Sequence, residues 1–352
     1  MESCSPGSDQ QRVTDFKNHV VKIASGASLT QDQAFAAFTL ILEGKTSAAQ
    51  LGAFLIGMRI RGETIDEIIG ATKAMRQAMI AVSAPPNAID LVGTGGDGLC
   101  TYNISTLAAI IAAAGGAIVA KHGGKASSSL SGASDVLSAL GVRVGGSPAA
   151  AVTCLNGAGI CFMAGPTHHP ALLHAASIRK ELGVRTIFNL LAPLCNPARV
   201  ERQVLGVYSR DWLLPLAQAL KDLGAKHVWL LHGSDGLDEA TTTGPTHVVA
   251  LKNGNIRSFD ITPEEVGLPR ASSQSLKGGD PAFNAKALRA VLAGEKSAYR
   301  DIAILNAAIA LVVADCADTI QQGAILAAKA LDSGAAADKL AALIQYSNSN
   351  SP

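Results

Sequence analysis

Three groups of residues in this chain have the types and spacing to do chemistry on an anion. The first is Leu91-Val92-Gly93-Thr94-Gly95-Gly96-Asp97. An apolar run from Ile89 reads as a buried strand and breaks into three glycines within four residues; the chain then restarts as a helix at Asn103-Ile104-Ser105-Thr106. Glycines at a strand end let backbone amides converge on an anion with no Cβ in the way. A helix start just beyond adds free N–H groups and the favourable end of the dipole. Taken alone, the loop reads equally as a tight αβ connection. Its spacing is neither that of a Walker A loop nor that of the dinucleotide fingerprint.

The second group follows the expected strand Ala117-Ile118-Val119 and runs from Lys121 to Asp135. Lys121, Lys125 and the serines Ser127, Ser128, Ser129 and Ser131 make a cationic, hydroxyl-rich loop with the donors that phosphate oxygens take. The third is Asp238-Glu239, adjacent carboxylates after the strand His227–Leu231 and framed by Gly236 and Gly244-Pro245. Mg²⁺ prefers such carboxylates together with substrate phosphates to an all-protein cage. No covalent nucleophile is organised around these groups. A separate segment carries Arg179, which reads as a partner for a substrate carboxylate, followed by Arg185, Asn189 and the loop Pro193–Pro197. His168-His169 invites zinc, but no third ligand stands at suitable spacing.

The elements that position these groups are legible as patterns. Up to Pro85-Pro86 the chain reads as short helices, with capping-box pairs at Thr30/Gln33, Ser47/Gln50 and Thr64/Glu67. Gly44 and Gly62 close two of them. Leu51, Phe54, Leu55 and Met58 make an apolar helical face that reads as core, with a dimer contact as its second use. From Ile89, short apolar runs (Ile160–Met163 among them) alternate with Ala- and Leu-rich helical segments, which predicts a largely parallel sheet covered by helices. Ligands on such sheets sit beyond the carboxyl ends of the strands. Three polar loops, opening at Gly93, at Lys121-His122-Gly123 and at His232-Gly233-Ser234-Asp235, follow three of those ends. Long packing helices are expected between Leu311 and Leu331, and a frayed tail from Ser347.

Composition narrows the class. The chain has 352 residues, 48% hydrophobic and 16% charged, with a formal net charge of +1. That is a globular protein without the concentrated basic stripe of a general nucleic-acid binder. Its six cysteines (Cys4, Cys100, Cys154, Cys161, Cys195 and Cys316) contain no CxxC pair and read as reduced thiols of a cytoplasmic protein. The most apolar stretch, Leu107 to Ala120, is short for a bilayer and is broken by Gly115-Gly116. The N-terminus lacks the layout of a signal peptide.

The motifs GTGGD, NIST, KHG with its serines, Arg179 through RTIFNLL and NPA, and GLDE with TGPT resemble, in that order, the anthranilate phosphoribosyltransferase family. The resemblance covers nearly the whole chain. It implies an α/β fold of the nucleoside-phosphorylase-like kind, with a small N-terminal helical domain (1–85, joined by helices from about 168–200). A large α/β domain (86–346) with a mostly parallel central sheet flanked by helices and a disordered tail (347–352) complete it. It further implies that phosphoribosyl is transferred from 5-phosphoribosyl-1-pyrophosphate to the anthranilate amine, in tryptophan biosynthesis.

By the same resemblance the donor is held by Gly93, Gly96, Asp97 and Thr101, by Asn103, Ile104, Ser105 and Thr106, and by Lys121, Gly123, Lys125, Ser128, Ser129 and Ala133. Ser105, Asp238 and Glu239 bind Mg²⁺. Gly93, His122, Gly124, Arg179 and Pro193 face anthranilate, with Arg179 on its carboxylate. A homodimer through the helical domain is implied, with neither nucleic acid nor membrane as partner. The chain departs from the family pattern where KHGNR reads KHGGK, so Gly124 replaces an Asn and Lys125 an Arg; Ala192 stands for Gly and Ala133 for Ser. A divergent paralogue with another aromatic amine acceptor is the alternative, and a non-catalytic nucleic-acid-binding relative a further one; the near-zero charge and the intact acidic pair speak against the latter.

Overall fold

The structure is a computed structural model that describes residues 7–125 and 130–349, with side chains from Phe16 onward. It divides into two compact units, one made of residues up to Ile80 together with His169–Cys195, the other of Ala81–His168 with the chain from Asn196.

The first unit is helical. Its N-terminal part is α1 (Gly7–Ala24), α2 (Gln31–Leu42), α3 (Ala48–Arg61) and α4 (Ile65–Ala78). All three expected capping boxes form: Thr30, Ser47 and Thr64 accept from the backbone N–H of Gln33, Gln50 and Glu67, whose side chains return to the cap amide. Leu51, Phe54, Leu55 and Met58 are buried within the unit, so they are core and carry no dimer contact. The chain returns later as α9 (Leu173–Leu182) and α10 (Ile187–Leu191). An aromatic train joins the two parts: Phe54 lies 5.2 Å from Phe16 and 6.0 Å from Phe38, and Phe38 lies 5.5 Å from Phe188 on α10.

In the second unit the order is β1 (Ile89–Gly93), α5 (Ile104–Ala114), β2 (Val119–Gly123), α6 (Ala133–Ala139), α7 (Pro148–Ala158), β3 (Ile160–Ala164) and α8 (Gly165–His168). After the excursion come β4 (Arg202–Gly206), α11 (Leu213–Asp222), β5 (His227–Gly233), β6 (Thr246–Lys252) and β7 (Asn255–Ile261). Four helices close the chain: α12 (Pro281–Leu292), α13 (Ala298–Val313), α14 (Ile320–Asp332) and α15 (Ala335–Asn348). Among the described residues the sheet has seven strands in the order β3-β2-β1-β4-β5-β6-β7. The first five are parallel, and β6 and β7 are antiparallel. Parallel strands covered on both faces read as continuous apolar runs. α5 and α13, buried along nearly their whole length, form the centre of that cover.

Three boundaries differ from the sequence expectation. β2 begins at Val119 and runs through Lys121 and His122, so these two are strand residues rather than a loop. Both are buried there: the Lys121 ammonium donates to the Leu91 carbonyl, and the His122 backbone N–H donates to Asp90 Oδ1. β5 likewise continues through His232, whose Nδ1 lies 2.7 Å from the Val207 carbonyl oxygen, so the polar loop opens at Ser234. At the C-terminus Ser347 is helical and buried, and its hydroxyl accepts from the Arg143 N–H at 3.1 Å, so no fraying begins there. Among the described residues Cys100, Cys154, Cys161, Cys195 and Cys316 are free thiols, and burial pushes Cys195 up to about 12. No helix among them is long and apolar enough to cross a membrane.

The helical unit is locked by one fully buried carboxylate. Glu67 accepts from the Leu29 N–H at 2.8 Å, from Arg61 Nη2 at 2.5 Å and from the Thr64 N–H at 2.9 Å. Glu67→Ala leaves a guanidinium and two amides without their acceptor, and is expected to destabilise the protein by about 3–5 kcal/mol. Chemical denaturation followed by far-ultraviolet circular dichroism measures this; an unchanged midpoint would show that water replaces the carboxylate.

Candidate active site

Gly93 and Gly206 stand opposite each other in register at the carboxyl ends of β1 and β4. Both positions require glycine because the loop after β5 folds down onto them. A Cβ at Gly206 would collide with the Asp238 carbonyl, and one at Gly93 with the Asp238 carboxylate. The loop is tied on both sides of that contact. Asp235 Oδ2 accepts from the hydroxyls of Thr241 and Thr243 at 2.8 and 2.7 Å. Asn306, on α13, brackets Ala240, accepting from its N–H at 3.0 Å and donating to its carbonyl at 2.8 Å.

Held this way, the acidic pair reaches the first glycine loop. Asp238 Oδ2 accepts from the Gly95 N–H at 2.7 Å, and Glu239 Oε1 accepts from the Ser105 N–H, in the first turn of α5, at 3.0 Å. Burial pushes both carboxyl groups well above the usual carboxylate range; the charge of Asp97 adds to the effect at Asp238, and that of Asp238 at Glu239. Lys121 acts in the opposite direction on Glu239. Among the described residues Glu239 Oε2 is buried without a hydrogen-bond partner.

The glycine loop is shaped from within and stitched from outside. Its turn passes through Gly96 at a φ of 82°, and Asp97 Oδ1 accepts from the Leu99 N–H at 3.1 Å. Thr101 bridges to Lys277, and Tyr102 stacks on Tyr299 with ring centroids 4.4 Å apart. The Asn103 side chain donates to the Ser131 carbonyl at 2.9 Å and accepts from Asn284 Nδ2 at 2.9 Å, so it ties its own loop to the Ser131 loop and to α12. The Ile104 N–H donates to the Tyr102 carbonyl at 2.9 Å, and Thr106 is buried one residue beyond Ser105.

Around the end of β2, Gly123 packs against Phe162 and Ala133, and the Gly124 carbonyl accepts from the Ser134 N–H at 3.1 Å. Among the described residues a Cβ at Gly124 would meet nothing within 4 Å. Lys125 is exposed, and Ser128 and Ser129 lie outside the described residues. Arg179 and Pro193 belong to the helical unit. Arg179 lies over the Phe188 ring, 4.8 Å from its centroid, and burial lowers its pKa; Pro193 is buried in the turn Ala192–Leu194.

Comparison with known proteins decides the class. Residues 17–79 match the glycosyl transferase family, helical bundle domain, and residues 85–337 the glycosyl transferase family, a/b domain. The chain is 63% identical to anthranilate phosphoribosyltransferase of Methylocella silvestris over 327 residues, 93% of this chain and 94% of the relative. The chain belongs to the anthranilate phosphoribosyltransferase family. The crystal structure of that enzyme from Thermus thermophilus superposes with a TM-score of 0.89 at 39% identity, covering 94% of this chain and 99% of the other. The Saccharomyces cerevisiae enzyme in complex with PRPP and Mg superposes with a TM-score of 0.88 at 28% identity, covering 96% of this chain and 98% of the other.

A divalent cation fits the residues present. Among the described residues no group of three or more His, Cys, Asp or Glu side chains is arranged to hold a metal, and the buried His168 and His169 belong to no such group. Mg²⁺, however, takes one or two carboxylates and completes its shell with water and substrate oxygens. The orphaned Glu239 Oε2 and the like charges of Asp97, Asp238 and Glu239 are what a cation there would satisfy.

Sequence reasoning placed the glycine loop and the acidic pair but missed what aims them. Gly206 was readable as a second glycine closing an apolar strand, Val204-Leu205-Gly206. Asn306 gives no signal, because its partner is a backbone more than sixty residues away. Gly206→Ala must displace the Asp238 carbonyl, an overpacking expected to cost about 1–3 kcal/mol of stability. Thermal unfolding reads this directly, and an unchanged Tm would mean that the loop moves freely.

Proposed function

We propose that this chain transfers the phosphoribosyl group of 5-phosphoribosyl-1-pyrophosphate to the amine of anthranilate. The amine nitrogen forms a bond to the ribosyl C1, the C1–O bond to pyrophosphate breaks, and pyrophosphate leaves with the electron pair while the amine gives up a proton. Family membership supports this reading, and one observation carries it: a desolvated acidic pair held over amides that converge at a strand end. Such a site suits a diphosphate with its cation.

In this reading the donor phosphates lie along Gly93, Gly96 and Asp97 and at the start of α5, from Thr101 and Asn103 to Ile104, Ser105 and Thr106. Lys121, Gly123, Lys125, Ser128, Ser129 and Ala133 complete the donor side. The Asn103 side chain is engaged with Ser131 and Asn284, so its part is to hold the loops. Asp238, Glu239 and Ser105 would hold Mg²⁺, which when bound neutralises the pyrophosphate charge. Gly93, His122, Gly124, Arg179 and Pro193 are assigned to anthranilate. Catalysis is positioning and electrostatics around an oxocarbenium-like ribosyl centre, with no covalent enzyme intermediate. The reading includes a cytoplasmic homodimer formed through the helical domain, consistent with the exposed Val21 on α1 and Ile60 on α3; its mass in solution tests it.

The decisive assay mixes the protein with anthranilate, donor and Mg²⁺ and follows loss of anthranilate fluorescence. Asp238→Ala with Glu239→Ala, or removal of divalent metal by a chelator, is expected to abolish turnover; activity that survives both would sink the assignment. The open space at Gly124 gives a second expectation. Gly124→Asn places its Cβ in open space among the described residues and adds one hydrogen-bonding side chain, which should lower the anthranilate KM by up to about tenfold. An unchanged KM would show that residue 124 does not face the acceptor.

A further inference from the structure

Four backbone groups between β1 and β2 are denied the partners a parallel ladder would give them. The two strands pair only at Ile89 and Val119, whereas β1 with β4 and β2 with β3 each pair along five residues. Where the ladder starts, the Ile89 N–H donates to the Ile118 carbonyl at 2.9 Å. Continued in that register, it would run from the Leu91 N–H to the Ala120 carbonyl and from the His122 N–H to the Leu91 carbonyl. Side chains take three of these groups instead. Asn196 Nδ2 donates to the Ala120 carbonyl at 2.9 Å, the His122 N–H donates to Asp90 Oδ1 at 3.0 Å, and the Lys121 ammonium donates to the Leu91 carbonyl. Asn196 Nδ2 also donates to Asp90 Oδ2 at 2.7 Å, and its own Oδ1 accepts from the Ala198 N–H at 2.8 Å, which fixes the orientation of the amide.

Asp90, Lys121 and Asn196 are all buried. The backbone ladder between β1 and β2 therefore stops beside the glycine loop, where side chains take over, at the cost of burying the charges of Asp90 and Lys121, which a closed ladder would not require. We propose that Asp90 and Asn196 are positioning residues of the transfer reaction, replacing the β1–β2 ladder so that Lys121 and His122 are held at the strand ends where the donor binds. The proposal rests on the phosphoribosyl-transfer reading above.

The test exchanges the pair. Asp90→Asn sets an amide NH₂ against the Asn196 NH₂ or the His122 N–H, whichever way it turns, and Asn196→Asp sets an oxygen against Asp90 and Ala120. Making both changes together restores a donor–acceptor pair between the two positions. Each single change is expected to raise the donor KM, and the donor dissociation constant measured by calorimetry with Mg²⁺, about tenfold or more, and the exchange to regain part of it. Asn196→Ala, which keeps both buried charges, carries the same expectation should Asp90→Asn fail to fold. Folded single variants whose donor affinity and KM stay within about twofold of the parent would overturn the proposal. A parent that binds donor without consuming anthranilate would sink the acceptor assignment and leave calorimetry to judge the pair. A parent that binds no donor would overturn both.

Discussion

The Asp238 carbonyl resting on Gly206, with its carboxylate over Gly93, is the contact on which the rest of the site depends. It needs two strands in register, both ending in glycine, and a loop short enough of slack to stay down. From that contact the geometry propagates outward. Asp238 takes the Gly95 amide, which sets the glycine loop, and Glu239 takes the Ser105 amide, which sets the start of α5. α5 is apolar almost throughout, so it can pack on the sheet beside α13, and α13 returns Asn306 to the loop that began the chain of contacts. Sheet and both covering helices are thus tied to one close approach of backbone to backbone.

That arrangement gathers charge the protein alone does not balance. Three acidic groups, Asp97, Asp238 and Glu239, influence one another at a site where two are buried. The two amides and the start of α5 offset part of the cost, and Lys121 part of it at Glu239. Among the described residues one carboxylate oxygen is still left without a partner. A fold selected for stability alone would replace such a group; its persistence is the signature of a site whose balance is completed from outside. Positive charge arriving with a phosphorylated ligand supplies what the fold withholds.

Local chemistry was legible in the sequence, and long-range pairing was not. The capping boxes at Thr30, Ser47 and Thr64 could be read because cap and partner are three residues apart. The glycine loop and the acidic pair were readable for the same reason. The β6–β7 hairpin had a signal that went unused: Asn253-Gly254 between alternating strands, with φ of 50° and 79°, is the dipeptide such a turn prefers. Lys121 and His122 were misplaced into a loop because polarity alone argues against a strand interior. What permits it is Asp90, thirty residues earlier, and the Leu91 carbonyl beside it. Asn196, which completes the set, lies across the excursion through the helical unit. No window of sequence contains all of these residues.

The position of that buried set also bears on why it exists. Two buried charges inside a parallel sheet are expensive, and apolar residues of similar size would let the backbone ladder close and hold the strands at less cost. Every neighbouring junction among the parallel strands follows that cheaper course, with backbone pairing along its length. Only the β1–β2 junction is held by side chains, and β1 is the strand that runs into the glycine loop. Burial pushes Asp90 up to about 6 and lowers Lys121, and the charge of each favours the charged form of the other. A mutual dependence of this kind adds little to the fold as a whole. It constrains one strand end against another, which is what a site assembled from two strands requires and a sheet on its own does not.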